Sequence, residues 1–289
     1  MSHQTQALEL GPYTVTIALG APRILGFKRR SGPELFASLP GAVIESAAGR
    51  LSLLGGHRLW RAPEIPAVTY QPDDHPIMAD QFDDGVRLTG AADSHGVAKT
   101  IELRQRGEHV VVDHALVNQG ERTVRTAAWA ITQFTPGGVA VLPQSHDPID
   151  TAGVLPNRIV ALWPYTDLQA PEFEFRTEEI RIQASLSQRR AKLAIDNRRG
   201  WLAYALGAEV FVKWAPLNDD TMDYVDFGAS MQCYRDHRFL ELETLGPLTD
   251  LAPGGVVQHR EVWRLFDLQE RTLEELLTSL PEQPPKGPD

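Results

Sequence analysis

Short apolar or alternating runs, separated by Gly, Pro, Asn and Asp, recur along the whole chain and constrain its fold more than any other feature. Successive side chains of a strand point to opposite faces, so this alternation is typical of half-buried strands. Turn residues at short intervals favour antiparallel pairing over alternating strands and helices. We therefore predict an all-β fold of antiparallel strands. The predicted strands are Tyr13–Ala18, Arg50–Leu54, Val97–Arg104, His109–Asn118, Thr123–Gln133, Lys192–Asp196, Trp201–Leu206, Val210–Trp214, Phe239–Leu245 and Val256–Phe266.

Two segments between these strands have the composition of tight turns. Asn118 and Gly120 lie between His109–Asn118 and Thr123–Gln133, and the segment Ile195–Trp201 contains Asn and Gly as well. Both residue types adopt the left-handed backbone conformations that hairpin turns require. We therefore expect a hairpin at each segment.

A helical period occurs near the C-terminus, where leucines fall mostly at three- and four-residue spacings from Leu268 to Leu280. This spacing predicts a short helix that packs against the sheet. Residues 281–289 are rich in proline and polar side chains, so we expect a flexible tail there. We expect Pro63–Pro76, with its four prolines, to form a long ordered loop. No repeat or charge block divides the remaining chain, which favours one domain over residues 1–280.

Charge and hydropathy exclude several classes of partner. The formal net charge of −10 is unfavourable for nucleic acid, whose binding requires clustered Lys and Arg. No segment reaches the roughly 20 apolar residues of a membrane helix, and the start lacks the pattern of a secretory signal, so we expect a soluble, cytoplasmic protein. The single cysteine, Cys233, lies in an apparent strand and is interpreted as a buried apolar residue rather than a catalytic thiol.

Motifs for several chemistries are missing from the sequence. It has no Gly-x-Ser-x-Gly elbow, no phosphate-binding Gly-Lys-Ser/Thr loop and no glycine-rich dinucleotide motif. It has no Cys-x-x-Cys pair, and the five-residue spacing of His109 and His114 places them on opposite faces of a strand. We therefore predict no cofactor and no metal site.

The strand Phe239–Leu245 carries two glutamates on one face. Glu241 and Glu243 alternate with Leu240, Leu242 and Thr244, and their Cα atoms lie roughly 6–7 Å apart. Two carboxylates cannot both be buried among apolar groups without a large cost. Their face is therefore a solvated outer face, a surface paired with cations, or a binding site.

A second candidate follows the glycine pair Gly55-Gly56. The next residues include His57, Arg58 and Trp60. A guanidinium can donate paired hydrogen bonds to a carboxylate or to vicinal hydroxyls, and an indole offers an apolar plate for the C–H face of a sugar. The alternative is a structural turn, in which Trp60 fills the core and Arg58 neutralises an acid.

Two further residues are candidates on weaker grounds. His75 lies in a loop between acids and proline, and histidine suits general acid or base catalysis, although most loop histidines are not catalytic. Lys213 is the one cation in the strand Val210–Trp214. We expect Lys213 to join the site if these residues converge.

Three segments together resemble one protein family. They are Gly55–Glu64, Asn157–Asp167 and Phe239–Gly254, the last continuing to Glu261-Val262-Trp263. They resemble an uncharacterised bacterial family, the domain of unknown function 4380, within the galactose-mutarotase-like superfamily. The resemblance spans about residues 10–268.

The resemblance implies a β-supersandwich, in which two large antiparallel sheets curl so that a concave face holds a carbohydrate. In aldose 1-epimerases of this superfamily a late-strand glutamate in a Leu-Glu-Thr sequence is the general base, and Leu242-Glu243-Thr244 matches that pattern. An arginine in an early glycine-rich loop binds sugar hydroxyls there, and Arg58 has a similar setting.

One part of the pattern differs from the epimerases. They place a catalytic histidine before Tyr-Phe in a central strand, whereas the corresponding segment Thr126–Gln133 has Trp129 and no histidine. The general acid is then expected from a loop, as His75 or His146.

The sequence thus predicts a carbohydrate-binding protein, possible isomerase activity of the aldose 1-epimerase type, and a free sugar or sugar derivative as ligand. Glu243 and His75 are the predicted catalytic residues. The predicted substrate-binding residues are His57, Arg58, Trp60, Trp129, Lys213 and Glu241. The alternative is a non-catalytic sugar-binding or sugar-sensing protein with the same fold. The sequence indicates no oligomeric state.

Overall fold

The computed structural model describes residues 4–145, 147–184, 188–215, 217 and 223–284. Strands dominate this part of the chain, and all their pairings are antiparallel, which confirms the predicted fold class. The strands are β1 Thr5–Leu10, β2 Tyr13–Ala18, β3 Ile24–Arg29, β4 Ser38–Ser46, β5 Gly49–Gly55, β6 His57–Ala62, β7 Met78–Phe82, β8 Gly85–Thr89, β9 Val97–Arg106, β10 His109–Asn118, β11 Val124–Phe134, β12 Val139–Pro143, β13 Val160–Leu162, β14 Phe173–Phe175, β15 Glu179–Gln183, β16 Ala191–Ile195, β17 Trp201–Leu206, β18 Glu209–Trp214, β19 Met231–Arg235, β20 Leu240–Leu245, β21 Thr249–Leu251 and β22 Val256–Asp267. The helices are α1 Pro66–Thr69, α2 Val225–Gly228 and α3 Leu273–Ser279.

Two large sheets form a sandwich. The first sheet has the order β1-β2-β3-β6-β11-β20-β19-β16-β13, with β21 also paired to β11. The second sheet has the order β14-β15-β12-β17-β18-β22-β10-β9-β8-β7, and β4 and β5 form a separate two-stranded sheet. The core lies between the two large sheets, where buried apolar side chains of both are in contact.

Aromatic rings join the two sheets at the centre of the core. Phe27 of the first sheet lies 5.4 Å from Trp263 and 6.1 Å from Phe211 of the second, measured between ring centroids, in edge-to-face arrangements. Such pairs stabilise by roughly 0.5–1.5 kcal/mol beyond the burial of their area. This packing occupies one face of the first sheet, so the other face is left for the side chains described below.

The predicted strands are present, with ends that differ by a residue or two. The predicted C-terminal helix is also present but begins later, at Leu273, because Thr272 caps it. The Thr272 side chain accepts a hydrogen bond from the Glu275 backbone, and the Glu275 side chain accepts one from the Thr272 backbone. The helix packs its leucines against Trp201 and Trp214 of the second sheet.

Both predicted hairpins are wrong. β10 belongs to the second sheet and β11 to the first. Likewise, β16 belongs to the first sheet and β17 to the second. Each connection therefore crosses from one sheet to the other. The Asn118 side chain donates to the carbonyls of Arg122 and Leu251, and that of Asn197 donates to the Trp201 carbonyl. These bonds satisfy backbone groups at the crossings, for which Asn is as well suited as for a hairpin.

The segment after the glycine pair forms a central strand, β6, rather than a turn. Gly55 and Gly56 have positive φ values of 91° and 69°. A Cβ at Gly55 would lie 1.9 Å from the Ala37 carbonyl oxygen, and one at Gly56 would lie 2.1 Å from that of Ile24. Glycine is therefore required here for a close backbone approach, after which the chain enters the sheet directly.

The remaining connections are short or irregular. Within the loop predicted at Pro63–Pro76, α1 forms one helical turn. At the C-terminal end, the Pro281 carbonyl accepts a hydrogen bond of 3.0 Å from Trp214 Nε1, and residues 285–289 of the predicted tail lie outside the described residues. No helix in the described ranges has the length and hydropathy needed to cross a membrane.

Candidate functional site

The first sheet has two faces of different character. One face packs on the second sheet, and the other, which we call the site face, carries polar and aromatic side chains. Successive residues of a strand point to opposite faces of the sheet. Leu242 points into the core, so its neighbours Glu241 and Glu243 point to the site face. The site face is defined here by Arg58, Trp60, Trp129, Gln133, Lys192, Gln232, Tyr234, Glu241 and Glu243.

Strand register aligns these residues in two transverse rows. In the first row, Ile131 pairs with Arg58 on one side and with Glu243 on the other, and Gln232 follows beyond Glu243. The second row contains, in order, Gln133, Glu241, Tyr234 and Lys192. Residues that are distant in sequence are therefore neighbours on one surface.

Glu243 is held by two donors. Its Oε2 accepts hydrogen bonds of 2.7 Å from Trp129 Nε1 and 3.0 Å from Lys192 Nζ. Its Oε1 is buried and has no hydrogen-bond partner within the described structure. Burial raises the pKa of Glu243, and the Lys192 ammonium opposes that rise. Glu243 is thus the carboxylate of the pair that a cation stabilises, and one of its oxygens is free.

Glu241 has a different environment. Its Oε1 accepts a hydrogen bond of 2.8 Å from the neutral Gln133 amide, whose oxygen in turn accepts one of 2.5 Å from Arg58 Nη2. Burial, followed by the charge of Glu243, raises the pKa of Glu241 to about 8. The pair is therefore asymmetric, because Glu243 bonds directly to a cation whereas Glu241 bonds to a neutral amide, and unequal environments of this kind can separate an acid from a base.

Several buried polar atoms on the site face have no partner among the described residues. They are Arg58 Nε and Nη1, Trp60 Nε1, Gln232 Oε1 and Glu243 Oε1. Most buried polar atoms in proteins are hydrogen-bonded, so each orphan atom costs free energy unless a ligand or water satisfies it. Their concentration on one surface makes that surface a candidate ligand site.

Aromatic rings surround these polar atoms. The rings of Trp60 and Trp129 are 5.5 Å apart, and Tyr70 packs 5.3 Å from Trp60, measured between centroids. The Lys192 ammonium lies 4.5 Å from the ring of Trp129 and 4.8 Å from that of Trp163. Apolar plates beside a few polar groups are the usual composition of a small-molecule site.

Comparison with known proteins identifies similar folds but no relative by sequence. No protein family model matches the chain, and no curated protein matches it by sequence. Among solved structures, a galactose mutarotase-like protein from Lactobacillus casei is 11% identical, with a TM-score of 0.52, and covers 91% of this chain and 100% of its own. A provisionally named aldose 1-epimerase of Escherichia coli K12 is 12% identical, with a TM-score of 0.58, and covers 92% of this chain and 100% of its own.

The chain has a galactose-mutarotase-like fold. A galactose mutarotase related enzyme from Lactobacillus acidophilus agrees, with 8% identity, a TM-score of 0.53 and coverage of 91% of this chain and 98% of its own. These identities establish the fold alone. They agree with the fold that the resemblance implies, whereas the family, the domain of unknown function 4380, is not confirmed.

Within this galactose-mutarotase-like fold, most of the predicted site residues lie together. The site face brings together Arg58, Trp60, Trp129, Glu241 and Glu243.

His57 and Lys213 are not on that face. His57 precedes Arg58 in β6 and therefore points into the sandwich, where its Nε2 lies 2.7 Å from His114 Nε2. Lys213 Nζ donates to Glu261 at 2.8 Å in the same interior region. The face of His57 was not assigned because its segment was not among the predicted strands, and alternation within the predicted strand of Lys213 does not say which face is the interior one.

Of the two loop histidines predicted as the general acid, the structure describes His75. His75 is exposed and lines a cavity of about 330 Å³ whose walls do not include Glu243 or Glu241. His146 lies outside the described residues. The predicted role of His75 as general acid therefore has no geometric support from this cavity.

Sequence reasoning missed Lys192, Gln133 and Gln232. Lys192 lies in a predicted strand, and the available signal was a lone cation in an otherwise apolar segment, the same signal that selected Lys213. Only the tertiary structure distinguishes the two lysines. Lys192, in the first sheet, lies beside Glu243 on the site face, whereas Lys213, in the second sheet, points into the interior.

The interior region is a hydrogen-bonded cluster of His57, His114, His259, Lys213 and Glu261. The ligand atoms of His57, His114 and Glu261 all lie within 4.8 Å of one another, as in a three-residue metal site. Glu261, however, already accepts hydrogen bonds from Lys213 and Thr244 through Oε1 and from Trp263 through Oε2. A divalent cation would adjoin the Lys213 ammonium, so the cluster fits a hydrogen-bond network better than a metal site.

The histidines of this interior cluster can all be neutral. His114 Nδ1 donates to the His259 carbonyl at 3.1 Å, so His114 Nε2 can accept from His57 Nε2–H. The Thr132 hydroxyl then donates to His57 Nδ1 at 2.9 Å. Burial lowers the pKa of His57 and His114, and lowers that of His259 to about 3.

Proposed function

We propose that the protein is a mutarotase-type enzyme that interconverts the anomers of a free sugar or a sugar derivative. The observation that carries this proposal is the pair Glu241 and Glu243, two buried carboxyl groups on one face of a strand, of which one bonds to the Lys192 ammonium and the other to a neutral amide. Aromatic rings and unpartnered polar atoms surround the pair, as a polyhydroxylated ligand requires. The galactose-mutarotase-like fold supports the same substrate class.

Glu243 is the proposed general base, and Glu241 is the proposed general acid. Glu243 takes the proton of the anomeric hydroxyl while Glu241 donates its proton to the ring oxygen, so the bond between C1 and the ring oxygen breaks and an open-chain aldehyde forms. After rotation about C1–C2, Glu241 takes back the proton as the ring oxygen attacks C1. Glu243 then returns its proton to the carbonyl oxygen, which yields the other anomer.

Glu241 replaces His75 in this scheme for a geometric reason. An acid must lie within hydrogen-bond reach of the atom that it protonates. Glu241 shares the strand and the face of the proposed base, whereas His75 lines a separate cavity. Arg58 and Trp60 would hold the sugar through the free guanidinium N–H groups and the indole ring.

The direct test is anomer exchange with a Glu243→Gln variant. NMR exchange spectroscopy measures the α/β interconversion of a panel of aldoses, sugar acids and sugar phosphates with the parent protein and the variant. Loss of one general base should lower the rate by roughly 10²–10⁴-fold. Glu45→Gln, at an exposed position of β4, is the matched control and should leave the rate unchanged. Full activity of Glu243→Gln would exclude the proposed base.

A non-catalytic sugar-binding protein is the second candidate. One observation favours it: the Lys192 ammonium and the Trp129 indole both occupy Oε2 of Glu243 and stabilise the carboxylate, which reduces its tendency to take a proton. Isothermal titration calorimetry with the same panel separates the two candidates. A sugar that binds without any accelerated exchange supports the binding protein.

A further inference from the structure

The cavity lined by His75 does not include the proposed catalytic pair in its walls. It has a volume of about 330 Å³ and is formed by the loop that carries Asp73 and His75, by the segment Gly90–Ser94 and by Lys99 of β9. This volume is at the lower end of the range for small-molecule sites. Pro22, Pro72 and Val97 give the cavity partly apolar walls.

The acids around this cavity already have cationic partners. Asp73 accepts a hydrogen bond of 2.8 Å from Arg23 through Oδ1, and its Oδ2 lies 2.7 Å from Arg23 Nη1. Asp93 is paired with Arg61 at 2.8 Å through Oδ2, and its Oδ1 accepts from two backbone N–H groups. Each carboxylate is therefore compensated by its own arginine.

Within the described ranges Lys99, in contrast to the two arginines, has no carboxylate at hydrogen-bond distance. It is 6% exposed, and its Nζ lies 3.9 Å from Asp73 Oδ2, beyond hydrogen-bond distance. No acceptor for its three N–H donors occurs among the described residues, although Lys99 lines the cavity. Asp73 and Asp93 together with Arg23, Arg61 and Lys99 sum to a net charge of +1. The long ion pair with Asp73, whose carboxylate already pairs with Arg23, compensates the buried Lys99 only in part.

We propose that this cavity is a binding site for a small organic oxyanion, with Lys99 as the residue that binds the anionic group. A carboxylate or a phosphate would compensate the spare charge and accept the free N–H donors. The partly apolar walls fit a carbon skeleton of a few atoms. The proposal depends on neither Glu241 nor Glu243, so it holds whether or not the protein is an epimerase.

Three compounds with one three-carbon skeleton test the proposal. Isothermal titration calorimetry at low ionic strength measures the binding of glycerol, glycerate and glycerol 3-phosphate to the full chain. We expect saturable binding of at least one anion and none of glycerol. Binding of one anion alone supports the site and identifies its group. Equal binding of glycerol, or no binding of either anion at millimolar concentration, would overturn the proposal.

Two variants locate the binding. Lys99→Met should weaken anion binding about tenfold to a hundredfold, as expected for one charge-assisted hydrogen bond, whereas the matched control Lys28→Met, outside the cavity, should not. Ala91→Trp fills the exposed rim of the cavity without removing a buried charge, so it tests the site even if Lys99→Met fails to fold. Unchanged anion affinity in a folded Ala91→Trp protein would place the binding elsewhere and refute the proposal.

Discussion

Lys192 Nζ lies 3.0 Å from Glu243 Oε2, although the two residues belong to strands that are separated by β19. The ammonium thus compensates one member of a carboxylate pair and leaves the other, Glu241, beside a neutral amide. Burial alone would lower the pKa of Lys192, but the charges of Glu243 and Glu64 outweigh burial and raise it. This asymmetry is the basis of the first two predictions.

Replacement of the lysine should change the pH dependence of the proposed reaction. In Lys192→Met the carboxylate of Glu243 loses its cation, so its pKa rises and the base is ionised only at higher pH. We expect the acidic limb of the rate profile for anomer exchange to move to higher pH. Rates measured between pH 4 and pH 9 check this shift, with Lys28→Met as the control. An unmoved limb in Lys192→Met would contradict the role of this ion pair.

Removal of the proposed acid should change the alkaline limb of the pH–rate profile for anomer exchange. Since the pKa of Glu241 is raised to about 8, the parent protein should lose activity as pH increases through that value. Glu241→Gln cannot donate a proton, so we expect a rate loss of roughly 10²–10⁴-fold and no alkaline limb near pH 8. The same NMR exchange assay measures both. If the variant keeps the parental rate and limb while Glu243→Gln is inactive, the acid is another residue.

The ion pair between Lys213 and Glu261 should be important for stability rather than for catalysis. Both residues are fully buried and 2.8 Å apart. Lys213→Met leaves the Glu261 carboxylate without its cation, which should cost about 3–5 kcal/mol in the free energy of unfolding. Urea denaturation measures this loss. The double variant Lys213→Met with Glu261→Gln removes both charges and should recover part of it; a double variant less stable than the single one would argue against charge burial as the cause.

The neutral interior histidines predict a loss of stability in acid. A histidine in the unfolded chain binds a proton below about pH 6.5, but His259 in the folded protein resists protonation down to about pH 3. The unfolded state therefore binds more protons in this window, and stability falls as pH falls.

For His259 alone the loss at pH 5 is about 2 kcal/mol. Denaturant unfolding at pH 7 and pH 5 should show a drop in the parent that exceeds the drop in His259→Gln by about this amount. The raised pKa of Glu241 acts in the opposite direction but equally in both proteins, so it cancels from the comparison. Equal drops would mean that His259 is already protonated in the folded state.

Part of the site could be predicted from sequence because strand alternation is a local property. The two-residue spacing of Glu241 and Glu243 predicts that both lie on one face of their strand, and the structure confirms that shared face. The same rule would have separated His57 from Arg58 if β6 had been recognised as a strand. The two glycines before β6 instead left a turn and a close backbone approach as alternatives, since glycine occurs in both.

Pairings between distant segments could not be predicted in this way. Asn118 and Asn197 have the composition of hairpin turns, yet both lie where the chain crosses between the sheets. Turn chemistry satisfies local backbone groups in either case, whereas the choice of partner strand depends on the packing of the whole sandwich. The expected cytoplasmic location and the lack of a cofactor stay predictions.

The sequence by itself determined the all-β class, the ends of most long strands and the common face of Glu241 and Glu243, because these depend on periods of a few residues. Tertiary structure alone decided which cations pair with which acids. Lys192 is hydrogen-bonded to Glu243 and Lys213 to Glu261, whereas the carboxylate nearest to Lys99 in the described ranges lies beyond hydrogen-bond distance. The physical reason is that charge compensation acts over a few ångströms in space, and the register of paired strands, rather than distance along the chain, sets those distances.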